Sequence, residues 1–142
     1  LRSPNDPDPD ADQGTHSFRY SFLPHKGRLI DSNVISQATH LNYPIHILKG
    51  YDHQEIILPI TLNGEGLSLA VIKKAEKENL HIIRVIETYG KFSNGILNSV
   101  SSKTKWIETN LMEWKNGETY KGENLKIKLK PFEIKTWKVK VP

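Results

Sequence analysis

The run Leu80-His81-Ile82-Ile83-Arg84-Val85-Ile86 narrows the choice of fold more than any other part of this chain. It is rich in β-branched side chains and nearly continuous in apolar ones. A strand of that kind has to be covered on both faces, which predicts a central place in a sheet. The remaining runs are shorter and alternate. Leu125, Ile127 and Leu129 share one side of a segment whose other side carries Lys126, Lys128 and Lys130. That is the pattern of a strand with one dry and one wet face, and lysine on the wet face also discourages edge pairing.

The same period of two recurs near the start. Phe18, Tyr20 and Phe22 fall on one face with His16 in line behind them, opposite Ser17, Arg19 and Ser21. This predicts a half-buried strand from His16 to Leu23, stopped by Pro24 and Gly27. Further strands are expected from Gly66 to about Lys73, Ile96 to Val100, Thr104 to Met112, Leu125 to Leu129 and Phe132 to Val141. Gly90 and Asn94-Gly95 flank a connection, and Asn116-Gly117 is the strongest hairpin-turn signal. Ile30, Val34, Ala38 and Leu41 recur at helical spacing. A short helix over about Asp31–Leu41 follows, capped by Asp31 or Ser32 and ended by Asn42-Tyr43-Pro44. Residues 4–13, dense in proline and aspartate, read as an exposed loop. The fold class is therefore all-β: an antiparallel β-sandwich with one short helix, in a single domain spanning 1–142.

Two details sharpen this expectation. In the last strand Phe132 and Ile134 share one parity while Trp137, Val139 and Val141 share the other. Either a β-bulge absorbs the slip or one set faces a second surface, such as a neighbouring domain. The expected core comprises Phe18, Tyr20, Phe22, Ile82, Val85, Leu111, Leu125, Ile127, Leu129 and Trp137. Trp106 and Trp114 are undecided.

Charge and composition exclude several function classes. The formal net charge is +4, but the basic residues near the C-terminus alternate with core positions. No stacking aromatics interleave with them, so a nucleic-acid surface is not expected. No apolar run approaches a membrane span. With no cysteine there is no disulfide, thiolate zinc site or cysteine nucleophile. The lack of cysteine and of Asn-x-Ser/Thr sequons leans towards the cytoplasm. The abrupt opening Leu1-Arg2-Ser3-Pro4 suggests a piece of a longer protein.

Catalytic chemistry finds little support in the residues. The nearest approach to a metal cluster is His40, His46 and His53 with Asp52 and Glu55, at spacings that match no recognised site. His16 reads as a packed core residue, and His25 as a turn or interface residue at a strand end. A retaining glycosidase needs two carboxyl groups about 5–5.5 Å apart. Nothing in the spacing of Glu87, Glu108 and Glu113 brings two of them face to face across a cleft. For Glu87, an ion pair with Arg84 is the simpler expectation. No catalytic and no metal-binding residue is assigned.

The segment Gly14-x-His16-x-Phe18-x-Tyr20-Ser21-x-x-Pro24-His25-x-Gly27 resembles the C-terminal β-sandwich region of the family 38 glycoside hydrolases, the retaining zinc α-mannosidases. The likeness continues through Leu1-Arg2-Ser3-Pro4, Pro7-Asp8-x-x-Ala11-Asp12-x-Gly14 and Leu41-Asn42-x-Pro44. It extends through Val71-Ile72-Lys73-Lys74-Ala75-Glu76, Ile83-Arg84-Val85-Ile86-Glu87-x-x-Gly90, Asn110-Leu111-Met112-Glu113 and Pro131-Phe132-Glu133-Ile134-Lys135-Thr136. It is similar above all to the cytosolic and vacuolar branch. The resemblance implies a non-catalytic part of an enzyme that hydrolyses α-linked mannose in oligosaccharides through a covalent intermediate. Zinc, nucleophile and general acid belong to another domain of such an enzyme, and no His-x-Asp of that kind occurs here. The implied partners are the catalytic and helical domains of the same protein and a mannose-containing oligosaccharide, with a homo-oligomeric parent left open. By the same resemblance Arg2 aligns with an arginine that reaches towards the cleft and binds substrate. A free-standing carbohydrate-binding sandwich is the alternative reading, with tryptophans as its sugar platforms.

Overall fold

A computed structural model describes residues 6, 13–43, 47, 49–50 and 59–140. The chain divides into two compact units, Leu1–Pro44 and Ile45–Pro142.

In the first unit a 3-10 turn, Leu29–Asp31, leads into helix α1, Val34–Asn42. The helix begins later than its spacing predicts, because Ile30 and Asp31 belong to the tighter turn. Ser32 links the two: its hydroxyl donates to the Leu29 carbonyl at 2.6 Å and accepts from the Val34 N–H at 3.3 Å. Arg28 clamps the turn through a 2.7 Å pair with Asp31. No residue of α1 is buried.

The expected strand from His16 to Leu23 does not form among the described residues. Phe18, Tyr20 and Phe22 are 74%, 84% and 87% exposed. Phe18 and Tyr20 stack with ring centroids 6.5 Å apart, so alternation does bring alternate rings to one side. Alternation sets only which side chains share a side. A strand also needs a hydrogen-bonded neighbour, and none of the described strands pairs with this segment. His16 is likewise exposed rather than packed in a core.

The second unit is the sandwich. Its strands are β1 (Ile60–Asn63), β2 (Leu67–Lys74), β3 (His81–Glu87), β4 (Ser93–Ser99), β5 (Lys105–Thr109), β6 (Asn116–Lys121), β7 (Asn124–Leu129) and β8 (Ile134–Lys140). They form a three-stranded sheet β1-β4-β7 and a five-stranded sheet β2-β3-β8-β5-β6, antiparallel throughout. The core between them contains Ile60, Ile83, Val85, Leu97, Trp106, Leu125, Ile127, Leu129, Trp137 and Val139. Strand β3 lies between β2 and β8, and Ile82 and Ile83, on its opposite faces, are both fully buried. Strand β7 buries its three apolar residues and exposes those between them, as its alternation predicts.

Other local expectations are corrected. Asn94-Gly95 lies inside β4 and is no part of a connection. A Cβ at Gly95 would sit 2.8 Å from the Asn63 carbonyl oxygen, so β1 and β4 approach too closely there for any side chain. Asn116-Gly117 opens β6, while the β5–β6 connection is 110–115. There the Asn110 side chain takes over the role of a turn: its Oδ1 accepts the Trp114 N–H at 2.9 Å and the Lys115 N–H at 3.3 Å. Leu111 lies in this connection and is half exposed, against its expected place in the core. Strand β8 pairs without interruption to β3 and β5, so no bulge absorbs its parity slip. Phe132 falls instead in the β7–β8 turn, and Phe132 and Ile134 both remain exposed. A bulge occurs in β2 between Leu69 and Val71, and the β5–β6 register shifts between Ile107 and Thr109, where β6 carries the extra residue.

Candidate functional site

The outer face of the five-stranded sheet is roofed by two loops, and a recess of about 230 Å³ opens between them. Its base comes from β8, where four successive residues, Thr136 to Val139, are buried. Trp137 and Val139 face the core, which leaves Thr136 and Lys138 on the outer side. Lys138 is only 3% exposed, and its ammonium group donates to Glu78 of the β2–β3 loop at 2.5 Å. A buried ammonium without such a partner would be strongly destabilising.

The β5–β6 loop forms the opposite wall. Arg84 fastens it to the sheet, donating from Nε to Thr136 Oγ1 at 3.2 Å and from Nη2 to the Leu111 carbonyl at 3.1 Å. Lys73 of β2 holds it a second time through a 2.7 Å pair with Glu113. Glu113 has φ of 63°, a left-handed conformation uncommon for a residue with a side chain. The turn that results leaves Trp114 at the rim, 67% exposed, with Met112 and Asn116 beside the opening.

A second constellation closes one end of the sandwich. Glu87, at the end of β3, is fully buried. Its carboxylate accepts N–H bonds from Tyr89 at 2.9 Å, Gly90 at 2.8 Å and Phe132 at 2.9 Å, and a Ser93 hydroxyl bond at 3.3 Å. Burial pushes this carboxyl up, but the backbone N–H groups of Phe132, Tyr89, Gly90 and Lys91 together hold it below its ordinary value. The expected ion pair with Arg84 is absent, because positions 84 and 87 lie on opposite faces of β3. Glu87 therefore joins loops and has no exposed oxygen for acid–base work.

The other candidates are accounted for in turn. Glu108 pairs with Lys135 at 3.5 Å, Glu113 with Lys73, and Glu87 with backbone N–H groups. Trp106 is buried and donates from Nε1 to the Gly122 carbonyl at 2.9 Å, and Trp137 is in the core as expected. Trp114 is thus the one solvent-facing tryptophan of the three. His25 and His40 are exposed. Arg2, His46, Asp52, His53 and Glu55 lie outside the described residues. Among the described residues, no three histidine, aspartate or glutamate side chains gather as metal ligands. Nor is any described helix long and apolar enough to cross a membrane. Sequence reasoning named Glu87, Glu113 and Trp114 singly. It missed Lys138 and Glu78, whose contact spans 60 positions and leaves no local pattern.

Two antiparallel sheets, a sealed core and loops braced across an outer face define a β-sandwich module. Residues 66–137 match the family described as glycosyl hydrolases family 38, C-terminal β-sandwich domain, and the chain belongs to that family. It is 36% identical to alpha-mannosidase G of Dictyostelium discoideum, over 97% of this chain and 14% of that protein. It is 27% identical to alpha-mannosidase 2C1 of Mus musculus, over 96% of this chain and 14% of the relative. With an alpha-mannosidase of Saccharomyces cerevisiae it shares 28% identity, over 98% of this chain and 15% of that protein. The chain thus spans about one-seventh of the length of these relatives.

Proposed function

We propose that this chain is the non-catalytic C-terminal domain of a retaining α-mannosidase that acts on α-linked mannose in oligosaccharides. In this reading it packs on the catalytic and helical domains of the same protein and completes the cleft from one side. The zinc ion belongs to the catalytic domain of that parent, which works in the cytoplasm.

The observation that carries the reading is the row Phe18, Tyr20 and Phe22. Three aromatic side chains at alternating positions stand largely in solvent. Exposed rows of that size mark surfaces that are covered in a larger assembly. Here the natural cover is the remainder of a protein about seven times as long, of the kind its relatives are. Arg2 belongs to the same reading, as the residue that reaches the cleft. A guanidinium suits that task because its planar fork holds a sugar hydroxyl or a carboxylate without losing its charge.

The test uses the full-length parent. Replacing Phe18, Tyr20 and Phe22 together with aspartate is expected to lower its melting temperature and its turnover of an aryl α-mannoside. Arg2→Ala is expected to lower kcat/KM while leaving the melting temperature close to that of the parent. An aromatic variant with unchanged melting and kinetics overturns the packing role, and an arginine variant with normal kinetics removes Arg2 from the site.

A further inference from the structure

We propose that the recess beneath Trp114 is a glycan-binding subsite that takes one pyranose ring of a neutral oligosaccharide. The inference is independent of the domain-packing reading.

An exposed indole could be incidental on a flexible loop, but the 110–115 connection is braced. Asn110, Arg84 and Lys73 each hold it, and Glu113 adopts its left-handed conformation immediately before Trp114. Backbone strain maintained by several independent contacts is a feature of binding sites. The ring is therefore preorganised, and little ordering remains to oppose binding.

The surrounding groups select the class of ligand. Lys138 is already paired with Glu78, and Glu113 with Lys73, while Glu76 and Lys77 add one charge of each sign, so the charges around the recess largely cancel. A neutral ligand leaves those pairs intact. Carboxylate oxygens accept, and Asn116 both donates and accepts. Hydroxyl groups also do both, so a polyol can add hydrogen bonds without displacing the pairs. The C–H face of a pyranose is apolar enough to lie on Trp114 and against Met112, which a chain of hydroxyls alone would not do. A volume of about 230 Å³ is below the range of whole drug-sized ligand sites, and it suits a single ring with the rest of the glycan outside.

The 142-residue chain is titrated with mannobiose and with maltose, following tryptophan emission and its quenching by acrylamide. Since Trp106 and Trp137 are buried, quenching reports Trp114. Saturable protection of the indole by either sugar is expected, and Trp114→Ala is expected to weaken binding, measured calorimetrically, by about tenfold. Asn116→Ala provides a second variant on the rim. Unchanged circular dichroism shows that both variants are folded. No saturable binding of either sugar, or equal binding by wild type and both variants, overturns the subsite. Either result leaves the parent-enzyme test above unaffected, because that test turns on other residues.

Discussion

The buried carboxylate of Glu87 accepts the backbone N–H of Phe132 at 2.9 Å, across 45 positions of sequence. Phe132 has φ of 57°, which is unfavourable for so large a side chain. Its ring lies over Gly90, where a Cβ would come within 2.7 Å of Phe132 Cζ. One carboxylate thus fixes the β3–β4 loop and the β7–β8 turn together.

Glu87→Gln is expected to destabilise the domain by about 1–3 kcal/mol, because an amide turns one of these acceptors into a donor facing N–H groups. The midpoint of urea unfolding should fall with little change in slope. A variant of wild-type midpoint would remove Glu87 from its structural role.

The same group makes stability depend on pH. Its carboxyl titrates lower in the folded chain than in the unfolded one. The contribution is complete above the unfolded value, about 4.3 for glutamate, and is lost as pH falls through the folded value. Stability should therefore drop more steeply below about pH 4 in the wild type than in Glu87→Gln, which lacks this titration.

Lys138 and Glu78 should respond unequally to substitution. Glu78→Ala leaves a buried ammonium alone and is expected to cost about 1–3 kcal/mol, within the discount that a partly exposed partner requires. Lys138→Met removes the charge and keeps most of the volume, so it is expected to be neutral or stabilising. Thermal melts of the two variants decide the point, and a loss from Lys138→Met as large as from Glu78→Ala would contradict it.

Ile127→Ala and Phe22→Ala separate the two kinds of alternating segment. Ile127 lies in the sealed core, and its truncation should cost about 2–5 kcal/mol. Phe22 is exposed, and its truncation in the isolated chain should stay within about 0.5 kcal/mol. Chemical denaturation of both variants measures the difference directly.

These contrasts show what could be read from the residues. Strands β3 and β7 were legible because burial on both faces, or on one, leaves a pattern in the chain itself. The first aromatic segment has the same alternation as β7 without its hydrogen-bonded neighbour, and periodicity says nothing about neighbours. Strand β1 has four residues, too few to show a period, and β6 is exposed at all six positions, so no alternation could mark it. Within the candidate site, Trp114 was visible as a tryptophan but not as exposed. Its place follows from Asn110 taking over the turn that Asn116-Gly117 advertised. The Lys138–Glu78 pair depends on tertiary folding alone, since lysine on a strand otherwise reads as its wet face.

Strand β6 ends the five-stranded sheet and pairs on one side only, with β5. An extended border of this kind offers its main-chain donors and acceptors to any second extended chain, including another copy. Glu118 and Lys121 place charges of both signs along it, and the register shift against β5 leaves an extra residue in β6 itself. Among the described strands none pairs with that border beyond β5, and side-chain charge and local irregularity are what it sets against association. Concentrated or high-salt preparations, in which these charges are screened, are then the first place for edge-to-edge association to emerge.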